Sequence, residues 1–72
     1  MGTMRIHGVV VRLEPAHGFG FIRDDRHGDW FVVAGGVRGG LGAISAGQRV
    51  TFVHESTFSG PRATDVAPEP AA

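Results

Sequence analysis

Two phenylalanines in segment 17–22 (HGFGFI) have the spacing of a base-stacking surface. Successive side chains of a strand point to opposite faces, so Phe19 and Phe21 share one face and Ile22 takes the other. An exposed phenyl ring offers a flat π-surface on which any unpaired nucleobase can stack. The opposite facing, with both rings in the core, is equally compatible with alternation, because aromatic residues of strands are commonly buried. The two glycines that alternate with the rings favour the outward facing, since a core strand gains little from glycine.

No residue pattern in the chain points to catalysis or to a bound metal or cofactor. The histidines, at positions 7, 17, 27 and 54, lack the close spacing of metal ligands. No hydroxyl or carboxylate has a paired base or acid in the motifs, and Asp24, Asp25 and Asp29 are interpreted as turn residues. We therefore expect a binding module rather than an enzyme, with no metal and no cofactor.

The charge balance argues against tight binding of nucleic acid. Seven basic residues, all of them arginine, are matched by seven acidic ones, so the formal net charge is zero. A typical nucleic-acid binder has a clear basic excess, because phosphate contacts supply much of its affinity.

The length and hydropathy predict one small cytoplasmic domain. The chain has 72 residues and no cysteine, so a compact core must form without disulfides. No apolar run approaches the roughly 20 residues that span a bilayer, and the N-terminus lacks an apolar signal region. We expect a monomer without membrane contact.

Short strand patterns separated by turn residues predict an all-β fold. The predicted strands cover residues 5–13, 19–23, 29–33, 48–54 and 61–66. Segment 34–47 is rich in glycine, and we interpret it as a long connection pinned by Val37, Leu41 and Ile44. Five such strands with a crossing connection predict a small closed barrel over residues 5–66. Residues 1–4 are predicted to be a disordered start or a cloning remnant, and residues 67–72 a disordered Pro/Ala tail.

A barrel of this size buries only one face of each strand. If the rings of Phe19 and Phe21 point outward, the core contains Ile22, Trp30, Val32, Val50 and Phe52. Phe31 then joins Phe19 and Phe21 on the outside, on an adjacent strand. Such a patch of exposed rings is uncommon on monomers and indicates a binding surface.

Four segments in order resemble the motifs of cold-shock domains. Residues 17–22 (HGFGFI) resemble the first ribonucleoprotein motif, and residues 29–33 (DWFVV) resemble the second. Residues 47–52 (GQRVTF) and 60–66 (GPRATDV) are similar to the family's two later motifs. The order and spacing agree over most of the chain, which makes the resemblance specific to this fold.

The resemblance implies a five-stranded antiparallel OB-type barrel that binds single-stranded RNA or DNA on its aromatic face. It also implies a role like that of an RNA chaperone or regulator. The site residues it implies are Phe19, Phe21, Phe31, Arg12, His17, Asp29, Pro61 and Arg62.

Several positions depart from the family pattern and predict weak binding. Val11 stands in place of a phosphate-binding lysine, and Arg12 in place of a stacking tryptophan. The lysine of the first motif is His17, and the second motif's histidine and following aromatic residue are Val33 and Ala34. Stacking is worth about 1–3 kcal/mol per base, so the missing partners cost affinity. Arg12 either stacks on a base and pairs with phosphate, or is an ordinary solvated strand residue.

A barrel that has kept the fold but serves as a protein-interaction module is the alternative function. The neutral charge, the three valines at positions 9–11 and Phe58 favour it. Phe58 lies in the predicted last loop, where it either extends the apolar surface toward a partner or folds back over the barrel.

Overall fold

Five strands account for most of the chain in the computed structural model, which describes residues 4–70. The strands are β1 (Ile6–Glu14), β2 (Phe19–Asp24), β3 (Asp29–Val33), β4 (Arg49–Thr57) and β5 (Gly60–Pro68). They close into a barrel in which neighbours follow the order β1-β2-β3-β5-β4. The predicted all-β five-stranded barrel is therefore confirmed.

One pair of neighbouring strands is parallel, although the prediction was of an antiparallel barrel. β3 and β5 run in the same direction, with Phe31 opposite Arg62, whereas the other four neighbouring pairs are antiparallel. Strand directions cannot alternate all the way around a closed ring with an odd number of strands, so one parallel pair is unavoidable. This pair brings Arg62 beside Phe31.

Side chains from all five strands fill the barrel interior. The buried apolar residues are Val10, Ile22, Val32, Val37, Leu41, Ile44, Val50, Phe52, Ala63 and Val66. Four of the five predicted core residues are among them. The fifth, Trp30, is on the predicted inner side but only partly buried, and its ring lies 5.2 Å from that of Phe52 between centroids.

The glycine-rich connection between β3 and β4 is an ordered part of the core. It contains two short 3-10 turns, Ala34–Gly36 and Leu41–Ala43. Val37, Leu41 and Ile44 are all buried, as predicted. The apolar residues of this segment therefore contribute to the barrel core.

The hairpin of β4 and β5 is longer than the sequence predicts. The two strands were expected to end at residue 54 and to begin at residue 61, but they continue to Thr57 and from Gly60. β5 also extends to Pro68, which pairs with Val50. The predicted tail over residues 67–72 therefore begins too early.

Glu69 follows β5 and is also held on the barrel. Its backbone N–H donates to the Arg49 carbonyl at 3.0 Å, and its carboxylate pairs with Arg49 and with His7. Composition alone cannot reveal this contact, because its partners lie on β4 and β1.

Residues 1–3 and 71–72 of the predicted disordered ends lie outside the described residues. Within residues 4–70, no helix is long and apolar enough to cross a membrane.

Candidate nucleic-acid interface

Three phenylalanine rings form a continuous patch on the outside of β2 and β3. The register pairs Phe21 with Phe31 and Phe19 with Val33, and directly opposite residues of an antiparallel pair point to the same side. The ring centroids of Phe31 lie 5.6 Å from Phe19 and 5.7 Å from Phe21. All three rings are partly exposed, while Ile22 is fully buried. Of the two facings that alternation left open, the structure adopts the outward one; we call Phe19, Phe21 and Phe31 the aromatic face.

The glycine between the first two rings is required by the packing of β2 against β1. Gly20 is buried on the inner side, where a Cβ atom would lie 2.8 Å from Leu13 Cδ2 and 2.9 Å from the Arg12 carbonyl oxygen. Gly18 has a φ of +77° and ends the 3-10 turn Pro15–His17, a left-handed conformation that favours glycine. Both glycines are therefore required by the packing and turn geometry of the barrel. The outward facing was predicted from them for a different reason, namely that a core strand gains little from glycine.

A bulge in β1 brings Arg12 onto the same side as the rings. The register shifts between Val10, which pairs with buried Ile22, and Arg12, which pairs with Phe21. A bulge inserts one unpaired residue, here Val11, so the side chains that follow are displaced by one position. Strict alternation from Val10 would have pointed Arg12 inward.

The guanidinium of Arg12 is held by the carboxylate of Glu14. Arg12 Nε donates to Glu14 Oε1 at 2.6 Å, and Arg12 Nη2 lies 2.5 Å from the same oxygen. Glu14 pairs with Phe19 across the strands, so both ends of this ion pair border the aromatic face. Glu14 was not among the site residues predicted from the sequence. Its position two residues after Arg12 in a strand was the signal, since residues i and i+2 share a face.

Arg62 borders the opposite edge of the aromatic face. Its guanidinium carbon lies 5.8 Å from the centroid of the Phe31 ring. Its Nε atom is buried and has no hydrogen-bond partner within residues 4–70. Beside it is an open depression of about 400 Å³, lined by Phe31, Thr57, Ser59, Gly60, Pro61 and Arg62. Both predicted residues of β5, Pro61 and Arg62, therefore adjoin the rings.

His17 extends the row of rings at the end of the 3-10 turn. Its imidazole is exposed and stacks beside Phe19, with centroids 6.3 Å apart and planes inclined by 16°. The turn holds this position because Gly18 N–H donates to the Glu14 carbonyl at 3.0 Å. A fourth flat side chain thus continues the surface formed by the phenylalanines.

Asp29 lies at the other end of the face, in an ion pair that the sequence analysis missed. Asp29 is directly opposite Arg23 in the sheet, and Arg23 Nε donates to Asp29 Oδ1 at 3.0 Å. Arg23 shares a side with Phe21 because the two are separated by one residue of β2. All eight predicted residues therefore lie on or beside one surface.

A separate group of polar contacts stabilises the end of the barrel around Trp30. The indole Nε1 donates to Asp24 Oδ2 at 2.7 Å, and the Asp24 carboxylate also accepts the Gly28 N–H at 2.9 Å. These two hydrogen bonds lower the pKa of Asp24. The ring of His54 packs edge-on against Trp30. Within residues 4–70 the ring of Trp30 pairs with those of Phe52 and His54 and with no ring of the aromatic face, so we assign this group a structural role.

A second cluster ties the connection 34–47 to the strands. Asp65 accepts hydrogen bonds from Arg38 and Arg5, and these hydrogen bonds lower the pKa of its carboxyl. Within residues 4–70 there is no group of three or more side chains placed to hold a metal ion.

The comparisons with known proteins agree with this fold. No protein-family model matches the chain. Over 64 residues the chain is 34% identical to "Cold shock protein 1" of Lactiplantibacillus plantarum, a match that covers 88% of this chain and 97% of the relative. The chain therefore belongs to the cold shock protein family. Cold-shock domains bind single-stranded nucleic acid and are not a family of enzymes.

A solved structure titled "drosophila Unr CSD456" has the same fold. It superposes with a TM-score of 0.77 at 26% sequence identity, over 96% of this chain. The chain spans only 28% of the length of that structure. The likeness extends the family assignment from sequence to three-dimensional structure.

Proposed function

We propose that this protein binds single-stranded RNA or DNA by stacking unpaired bases on the aromatic face. The observation that carries the proposal is the set of three adjacent, partly exposed phenylalanine rings on β2 and β3. Each ring offers a surface for one base, and stacking tolerates any base because every base has a π-face. His17 provides a further flat side chain at the end of the row.

The binding is weak, since the cations around the rings are mostly occupied. Arg12 and Arg23 are each paired with a carboxylate, so they neutralise phosphate less effectively than free cations. Arg62 has neither an ion pair nor a hydrogen bond to its side chain within the described residues, and it lies over Phe31. Electrostatic affinity then depends largely on one arginine, in keeping with the zero net charge. A weak, sequence-tolerant surface of this kind suits an RNA chaperone or regulator that must bind and release its target.

The test is an NMR titration at low salt with a short oligothymidine and a matching oligouridine. We expect the backbone amides and rings of Phe19, Phe21 and Phe31 to shift, and the shifts to shrink as salt is added. The double variant Phe19→Ala/Phe31→Ala should lose at least about tenfold in affinity, because two stacking partners are removed. Trp30 fluorescence reports that the fold survives, as this residue packs at the other side of the sheet.

Phe58→Ala is the matched control. Phe58 is fully exposed in the turn between β4 and β5 and forms no aromatic pair within residues 4–70. Its replacement should change the affinity by less than about twofold. Absence of shifts at the aromatic face with excess oligonucleotide at low salt would refute the proposed function.

A protein-interaction surface is the second candidate function, and exposed apolar side chains favour it. Phe58 is fully exposed rather than folded back over the barrel, and Val11 at the β1 bulge is 45% exposed. Sedimentation over a range of concentrations tests this candidate through self-association. A strictly monomeric protein with a clear oligonucleotide titration would count against it.

A further inference from the structure

The negatively charged side chain of Glu14 borders the aromatic face, which under the proposed function must accept the phosphates of nucleic acid. This side chain is anchored to Arg12, and the cross-strand neighbour of Glu14 is Phe19 of the aromatic face. We propose that the Glu14 carboxylate competes with the phosphates of nucleic acid for Arg12. By occupying Arg12, Glu14 limits the affinity of the aromatic face for nucleic acid. This inference rests on the proposed function and names a residue that tunes it.

The geometry makes the competition direct. The Arg12 donor Nε and the neighbouring Nη2 both point at Glu14 Oε1. This is the same edge of the guanidinium that would bind two phosphate oxygens in a bidentate manner. A phosphate that approaches Arg12 must displace the carboxylate or share the arginine with it. The first choice breaks an ion pair, and the second places two negative groups side by side.

The placement of both residues follows from the β1 bulge. Because the register shifts after Val10, Arg12 and Glu14 both follow the bulge and both point outward, opposite Phe21 and Phe19. The pair is also accessible, since the Arg12 side chain is 65% exposed and that of Glu14 is 31% exposed. Nucleic acid stacked on the rings would therefore pass directly beside this ion pair.

The carboxylate of Glu14 has no role in local structure within residues 4–70 apart from this pair. In the 3-10 turn that follows, the Gly18 N–H donates to the backbone carbonyls of Glu14 at 3.0 Å and Pro15 at 3.3 Å, and the Glu14 side chain makes no capping hydrogen bond. Glu14→Gln keeps the shape and the backbone contact while removing the charge. Its effect on binding can therefore be separated from an effect on folding.

The experiment measures oligothymidine affinity for four proteins: wild type, Glu14→Gln, Arg12→Gln and the double variant. We expect Glu14→Gln to raise affinity about three- to tenfold at low salt, because Arg12 becomes available to phosphate. The slope of log affinity against log salt should steepen by about 0.7, the value for one additional phosphate contact on a single strand. In the Arg12→Gln background, the same Glu14 change should raise affinity by less than about twofold, since no guanidinium is released.

Glu69→Gln is the matched control. Glu69 is also an acid paired with an arginine, Arg49, but its partners lie away from the aromatic face. Its replacement makes the same change in net charge and should leave the affinity within about twofold of wild type. The NMR signal of the Arg12 side-chain Nε–H gives a direct readout. It should shift on addition of oligonucleotide in Glu14→Gln more than in wild type.

The outcomes separate this inference from the proposed function. Equal gains for Glu14→Gln and Glu69→Gln would mean that net charge alone is responsible, and would overturn the competition. Equal gains from Glu14→Gln with and without Arg12 would also overturn it. If wild type binds and Glu14→Gln binds no better, only this inference fails. If none of the variants binds, the proposed function fails with it.

Discussion

Replacing Arg62 with methionine should stabilise the fold and weaken nucleic-acid binding at the same time. Methionine keeps a flexible apolar stem against the Phe31 ring and removes the buried Nε, which has no hydrogen-bond partner within residues 4–70. An unsatisfied buried donor costs about 1–3 kcal/mol, whereas the lost cation–π contact is worth about 0.5–1 kcal/mol. The net gain in the free energy of unfolding is then about 1 kcal/mol, or a rise in Tm of about 4–8 °C for a domain of this size.

The binding effect has the opposite sign. Arg62 is the cation beside the rings that has no carboxylate partner within the described residues, and it lies 5.8 Å from the Phe31 centroid. A hydrogen bond between charged groups, such as one from Arg62 to a phosphate of the oligonucleotide, contributes about 1.5–3 kcal/mol. Its loss in Arg62→Met should therefore weaken oligonucleotide binding by about tenfold or more. The slope of log affinity against log salt should fall by about 0.7, because one phosphate contact is lost.

The assay pairs thermal unfolding, followed by Trp30 fluorescence, with an oligothymidine titration at several salt concentrations. Arg26→Met is the matched control, since Arg26 is an exposed arginine of the β2–β3 turn and borders a different depression. It makes the same charge change and, as an exposed substitution worth about 0.5 kcal/mol or less, should alter Tm by less than about 4 °C. A drop in Tm for Arg62→Met, or an unchanged affinity and salt slope, would refute the reasoning about Arg62.

Three further predictions concern stability. Gly20→Ala should lower the free energy of unfolding by about 1–3 kcal/mol, because its Cβ would lie 2.9 Å from the Arg12 carbonyl oxygen, a backbone atom. Urea titration measures this loss, and an unchanged midpoint would contradict it. Asp24→Ala should cost about 1–2 kcal/mol, because the Trp30 indole N–H loses its acceptor; an unaltered Tm and Trp30 emission would count against this contact. The carboxyl groups of Asp24 and Asp65 have lowered pKa values in the folded state. Their ionised forms therefore stabilise the fold above the unfolded pKa of about 3.9. This stabilisation is lost as the pH falls from there through the lower pKa of the folded state. Tm should therefore drop below about pH 4 and drop less in Asp65→Asn, and equal acid sensitivity in that variant would argue against the Asp65 ion pairs.

Local sequence patterns predicted most of the barrel. Runs of β-branched and aromatic residues predicted the positions of the strands, and turn residues predicted where one strand is separated from the next. Both signals can be read from the sequence because they depend only on neighbouring residues. Val37, Leu41 and Ile44 were predicted to pin the glycine-rich connection because they are its apolar residues, and all three are buried. The ends of β4 and β5 were less predictable. Their extra pairs, such as Val50 with Pro68, form only when the two strands lie side by side.

The candidate site was predictable as a set of residues but not as an arrangement. Alternation placed Phe19 and Phe21 together but left their facing open, and the family resemblance indicated the outward side. The roles of the individual charges in this surface remain predictions. The ion pairs of Arg12 with Glu14 and of Arg23 with Asp29 were not foreseen, although they largely determine which cations are free.

The sequence by itself determined the strands, the alternating faces and the residue types available for stacking. These properties are local, since they depend on backbone preferences and on a side-chain period of two residues. Only the tertiary structure decided the bulge that turns Arg12 outward, the parallel pairing that brings Arg62 to Phe31, and the hold of Glu14 on Arg12. Bulges and cross-strand neighbours depend on how distant strands are aligned, and barrel closure fixes that alignment. The rings of the aromatic face thus come from two local segments, 17–22 and 29–33, whereas its electrostatic character also depends on residues from the strands on either side.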